Sequence, residues 1–126
     1  MVKRNYIEDI EKALNNKKKP VELLNVIFTF LNFKPIEIKI YNVLLKTSFT
    51  IKQIEQKIDV SERTIRKHIK RLDEEGFIVK KVVHDKRLKY VYSAVPVYDA
   101  WEKVKDKIEN ILSDITKVLE TKTILF

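Results

Sequence analysis

The 126-residue chain has no cysteine, one glycine, two histidines and three prolines. Each scarcity excludes something. Without cysteine there is no disulfide framework and no thiolate metal site. His68 and His84 stand 16 residues apart, so no His-x-x-x-His ligand pair is present, and no metal or other cofactor is expected. A lone glycine, Gly76, cannot build a phosphate-cradling loop, and the acidic residues are scattered as solvated charge along helix faces. No catalytic residue is assigned, and an enzyme is not expected. There is no apolar run of about 18 residues, as a membrane-spanning helix requires. Met1-Val2-Lys3-Arg4 leads into acidic, amphipathic sequence, unlike a secretory leader. A cytoplasmic protein with no membrane partner is expected. So few glycines and prolines also mean short loops.

What the chain does have is charge, 35% of its residues, beside a 44% hydrophobic share that is ample for one core. The net charge is +8 and it is unevenly placed. Residues 61–90 carry 10 bases and 5 acids, a net of +5 in thirty residues. Residues 91–126 carry 5 bases and 6 acids, a net of −1. A polyanionic partner explains that asymmetry better than solubility does.

The basic stretch lies inside residues 50–95, around which the chain is organised. Thr50 caps a short helix with Ile51, Ile54 and Ile58 on its inner side. Asp59 occupies the turn, where glycine is usual, and Asp tolerates the left-handed conformation better than most residues. Glu55 stands where a small alanine is common in such motifs, facing solvent or pairing with a base. Ser61 caps a second helix through the amide of Thr64. Ile65, Ile69 and Leu72 form its apolar stripe. At 100° per residue Arg63, Lys67 and Lys70 fall opposite, flanked by Thr64, Arg66 and Arg71. His68, at the stripe's edge, reads as a packed, hydrogen-bonded histidine. Gly76 ends the helix.

From Phe77 the period changes to two. Residues 77–82 and 88–95 read as a hairpin with His84-Asp85-Lys86-Arg87 at its tip. Tyr90 and Tyr92 read as sheet packing, and His84 as a solvated turn residue. Helix, turn, basic helix and hairpin together make a winged helix-turn-helix. The second helix, residues 61–75, would enter a major groove. Lys86 and Arg87 would hold the adjacent minor groove or backbone.

Flanking segments supply apolar surface. Tyr6, Ile10 and Ala13/Leu14 share one face of a short helix, followed by Lys17-Lys18-Lys19, a solvated loop or a backbone contact. Pro20 starts a helix that is apolar nearly all round through Phe33. It suits the core and a dimer interface, with a ligand groove as the rarer use. Ile36, Ile40, Val43 and Leu44 form the next helix. After Pro96, Val97, Trp101, Val104, Ile108, Ile111, Ile115 and Val118 recur at alternating spacings of four and three, a heptad seam with Leu112 and Leu119 beside it. Such a seam needs a partner. The economical one is a second copy, so Trp101, Val104, Ile108, Ile111, Ile115 and Val118 are assigned to a homodimer. The apolar tail, residues 123–126, would fold back on it.

Residues 31–41, LNFKPIEIKIY, resemble the opening of the TrmB-type archaeal regulators. These carry a leucine-glycine-leucine/phenylalanine turn, then a glutamate, and a tyrosine four residues later. Glu37 and Tyr41 match, and Asn32 replaces the glycine. Tyr92-Ser93-Ala94-Val95-Pro96 is similar to that family's junction between wing and long helix. The likeness covers roughly residues 31–120, and archaeal MarR-like and Lrs14-like proteins share the architecture. It implies a dimeric winged-helix transcription regulator. The C-terminal sugar-binding domain of full-length TrmB proteins is not in this sequence, so sugar sensing is not implied, and no effector is assigned.

The expected fold is mainly α with a small β-hairpin, a winged helix-turn-helix carrying a long coiled-coil-like C-terminal dimerisation helix. Residues 1–33 would support core and dimer, 34–95 bind double-stranded DNA, and 96–126 dimerise. The expected function is a transcription regulator, a repressor, in the cytoplasm at the nucleoid. Lysine makes up 21 of the 26 bases, which favours an architectural DNA-coating protein. The arginines Arg63, Arg66 and Arg71 favour base readout. A winged-helix protein-interaction module is the third reading.

Overall fold

The structure, a computed structural model, describes residues 5–17 and 19–123. Six helices and one hairpin follow in order: α1 (Tyr6–Asn15), α2 (Pro20–Phe30), α3 (Pro35–Lys46), α4 (Ile51–Ile58), α5 (Glu62–Glu74), β1 (Ile78–His84), β2 (Leu88–Ala94) and α6 (Val97–Thr123). This is a winged helix-turn-helix with a long C-terminal helix. Among the described residues no helix is long and apolar enough to cross a membrane.

Local chemistry sets most boundaries. The Asn5 side chain accepts from the Glu8 amide at 3.0 Å to open α1. Pro20 and Pro35 begin α2 and α3, where a missing N–H costs nothing. Thr50 and Gln53 cap α4 reciprocally: the Gln53 amide donates to Thr50 Oγ1 at 3.2 Å, and the Thr50 amide donates to Gln53 Oε1 at 2.8 Å. The Thr64 amide donates to Ser61 Oγ at 3.3 Å at the start of α5.

Four helix ends turn through left-handed residues: one is Lys17, at φ 50° after α1, and the other three close α2, α4 and α5. Asp59 closes α4 at φ 59°. Gly76, at φ +83°, follows α5, with Phe77 N–H bonded to Leu72 O at 2.9 Å and Gly76 N–H to Asp73 O at 3.0 Å. Asn32, at φ 68°, ends α2 with the same pattern: Phe33 N–H to Phe28 O and Asn32 N–H to Thr29 O, both 3.0 Å. Asn32 therefore does the work that glycine commonly does at a helix end. Of the last three, Asp59 carries the most relievable strain. Asp59→Gly is expected to stabilise the fold by about 0.5–1 kcal/mol, and Asp59→Val to destabilise it by more, in urea unfolding.

The core gathers residues from α2 to α6. Phe28 sits at its centre, its ring 5.1 Å from Phe33, 5.3 Å from Tyr41 and 5.0 Å from Phe77. Ile40, Leu44, Ile54, Ile65 and Leu72 close around them. The Tyr41 hydroxyl donates to Val95 O at 2.8 Å, tying α3 to the junction of wing and α6. Burial pushes its pKa up, with the Asp99 charge adding to the effect, so it stays a donor.

β1 and β2 pair antiparallel, with Ile78 opposite Ala94 and His84 opposite Leu88. His84, expected at the tip, is the last residue of β1, because its pairing with Leu88 extends the ladder. Residues 85–87 form the turn. Phe49, just before α4, exchanges backbone bonds with Tyr92 at 3.0 and 2.8 Å, a single antiparallel bridge beside the hairpin.

Only the first part of α6 packs on this core. Ala100 and Val104 are buried and Ile108 is half-buried. From residue 109 to 121 every side chain is exposed. The seam is thus split. Val104, expected to face a partner, belongs to its own chain's core, because the roll of α6 turns Ala100 and Val104 inward. Trp101 lies at the edge, 37% exposed. The tail, residues 124–126, lies outside the described residues, as does Lys18.

Candidate nucleic-acid interface

Helix α5 buries Ile65, His68, Ile69 and Leu72 and turns its other side outward. Arg63, Arg66, Lys67 and Lys70 are exposed on that side, with Thr64 half-buried at its edge. The packing that buries the isoleucine stripe is what aims the cations. Arg66 is braced by Glu62 one turn earlier, its Nη2 lying 2.8 Å from Glu62 Oε1. Both side chains are open to water, so the pair contributes little stability and leaves the guanidinium able to change partner.

The wing stands beside this face. Lys86 and Arg87 are exposed at its tip. Between wing and helices lies an open hollow of about 550 Å³, lined by the first turn of α4 with Thr50, Lys52 and Gln53, by Glu62 and Arg66 of α5, and by residues 87–90 of the wing. The hollow brings Arg66 and Arg87 to one surface, although 21 positions separate them. Lys52 and Lys89 line it too and were not singled out from sequence. Lys52, next after the first residue of a capped helix, could have been found from the position of α4 beside the wing.

Tyr92 is buried in the sheet, as expected, but Tyr90 is 47% exposed and carries Lys80 Nζ 4.0 Å above its ring. Tyr90 sits nearer the tip and lines the open hollow between wing and helices. The cation over the ring keeps a further positive charge on the wing.

Arg71 departs from expectation. Its spacing groups it with the outward cations, but its Nη1 donates to Glu37 Oε1 at 2.7 Å and to Asn32 O at 3.4 Å, and its guanidinium lies 4.4 Å over the Phe33 ring. Its charge is paired with a buried carboxylate on α3, while its side chain stays 34% exposed. His68 packs as expected, 6% exposed, with Nδ1 3.0 Å from Glu37 Oε2.

A second hollow, apolar and about 620 Å³, opens on another side between α1, α2 and the start of α6. Leu14, Leu23, Tyr98 and Trp101 line it. Above it runs the exposed stretch of α6 with Ile111, Leu112, Ile115, Val118 and Leu119. Monomers seldom leave so much contiguous apolar surface in water.

Comparison with known proteins agrees with the geometry. Residues 37–84, from α3 to the end of β1, match the family described as the HTH domain. No curated protein matches the chain. Among solved structures, it is similar to a candidate transcriptional regulator from Methanosarcina mazei Go1, at 11% identity and a TM-score of 0.65, over 75% of this chain and 83% of that one. It is similar to the reduced transcriptional regulator YodB from B. subtilis, at 20% identity and TM-score 0.51, over 66% and 81%. It is also similar to a candidate MarR-family regulator from Enterococcus faecalis V583, at 12% identity and TM-score 0.50, over 75% and 89%. These likenesses show a shared winged-helix fold.

Proposed function

We propose that the protein is a transcription regulator that binds double-stranded DNA as a homodimer and acts as a repressor, free of catalytic activity, in the cytoplasm at the nucleoid. One observation carries the reading. Arg66 of α5 and Arg87 and Lys89 of the wing line one hollow, on a fold whose α5 buries an apolar stripe and exposes its other cations. Arg63, Thr64, Arg66, Lys67 and Lys70 would lie in a major groove, where arginine pairs with guanine edges. Lys86 and Arg87 would grip the flanking minor groove or its phosphates, and Lys52 and Lys89 the backbone between. Ile111, Ile115 and Val118, with Ile108 and Trp101 at their base, would meet a second copy. Two half-sites would then be read at once.

The test separates base reading from charge. Arg63→Ala is expected to weaken binding to a cognate duplex by about 1–3 kcal/mol while barely changing binding to random duplex. Lys86→Ala is expected to weaken both alike and to lower the salt slope by about one. Fluorescence anisotropy over a salt series measures both. Equal losses on the two duplexes for Arg63→Ala would remove its base-reading role. With lysine making up 21 of 26 bases, that outcome would favour an architectural, sequence-indifferent binder.

A further inference from the structure

The outward face of α5 is only as well aimed as the roll of the helix about its own axis. Ile65, Ile69 and Leu72 decide which side is inward, but apolar contact has no direction. At a radius of about 5–6 Å, a roll of about 20° shifts a side-chain tip by about 2 Å. That exceeds the width of the distance window for a hydrogen bond, about 0.5 Å. Something directional must hold the roll.

One carboxylate on α3 is built for this. Glu37 is 1% exposed. Its Oε1 accepts from Arg71 Nη1 at 2.7 Å and from the Lys34 amide at 2.9 Å. Its Oε2 pairs with His68 Nδ1 at 3.0 Å. A carboxylate only accepts, so the imidazole carries its proton on Nδ1. His68 and Arg71 stand three apart on α5, one turn of helix, and both end on the same group. Arg71 is fixed in turn by the Phe33 ring and the Asn32 carbonyl. The Lys34 amide fixes the carboxylate itself within the first turn of α3.

We infer that Glu37 is the positioning residue that sets the roll of α5, acting through His68 and Arg71, and thereby sets its discrimination between DNA sequences. This rests on the DNA-binding reading above. A buried charged network contributes little net stability against an apolar replacement of the same shape, and its best-attested use is to fix register. Glu37 touches no DNA in this reading. It determines where Arg63 and Arg66 arrive.

Three variants of the full chain test this. Glu37→Gln replaces one acceptor by an amide donor, which cannot accept from both partners. His68→Leu removes one donor and keeps an apolar filling. His68→Asn keeps an N–H donor at the position of Nδ1. The readouts are affinity for a duplex recovered by selection, affinity for random duplex, and residual dipolar couplings of the α5 amides relative to α3. Glu37→Gln and His68→Leu are expected to lower cognate affinity about tenfold, as for a lost charge-assisted hydrogen bond, while random-duplex affinity stays within about twofold. The α5 couplings shift in both. His68→Asn retains the wild-type ratio and couplings. Folded variants with unchanged couplings, or with cognate and random affinity falling together, overturn the inference. If the wild-type chain binds no duplex, the DNA reading fails by itself, and the couplings still decide whether Glu37 holds the roll.

Discussion

Replacing Ile111 and Ile115 together with glutamate is expected to give monomers of 15.0 kDa by light scattering, with the helical signal preserved. Both side chains lie on the part of α6 that leaves its own core, 48% and 50% exposed. Burying an aliphatic side chain of this size is worth about 1.5–3 kcal/mol, and two-fold symmetry counts each one twice. A glutamate buried in such a seam meets desolvation without a partner charge. Ile108 is a poorer choice, because it is half-buried against the core and its loss would damage the monomer. Affinity for a duplex with two half-sites should fall by about 10²–10⁴, the usual gain from linking two binding events. Affinity for a single half-site should hold. An unchanged mass would remove the seam from the dimer interface.

Phe28→Ala is expected to cost about 3–5 kcal/mol, against a total near 5–15 kcal/mol for a domain of this size. Phe28 is 1% exposed and touches three other rings, one from the turn after α2, one from α3 and one from the start of the wing. Its removal leaves a void that rigid neighbours on separate elements cannot close together. At fixed protein concentration the midpoint of thermal unfolding should drop by about 10–20 °C. Phe28→Leu should cost much less. A loss below about 1 kcal/mol for the alanine variant would mean the core is organised elsewhere.

Local rules made much of the fold legible. The caps at Thr50 and Ser61, the left-handed Asp59 and the stop at Gly76 each depend on residues a few positions apart, and the structure has them where the sequence put them. The change of period after Gly76 marked the hairpin, because alternation and helical spacing cannot be confused over seven residues. What depends on partners distant in sequence was not legible. Arg71 has the spacing of a flanking groove residue, and nothing nearby shows that Glu37, 34 positions earlier, will take its charge. The heptad on α6 says that a stripe must be covered but not by what. The core takes its first turns through Ala100 and Val104, and Ala100 is too small to register in an apolar pattern. The rung between Phe49 and Tyr92 is a single residue long and has no period at all. Of the candidate interface, the cations of α5 and the wing tip were visible as types and spacings. The meeting of Arg66 and Arg87 around one hollow, with Lys52 and Lys89, required the fold.

The most direct measurement is selection of bound sites from a random duplex pool at two salt concentrations. Recovery of one palindromic motif that survives the higher salt is the expected result, with half-sites spaced for two copies of α5. Recovery of unrelated sequences, all lost as salt rises, would contradict it and leave a charge-driven binder that reads no bases.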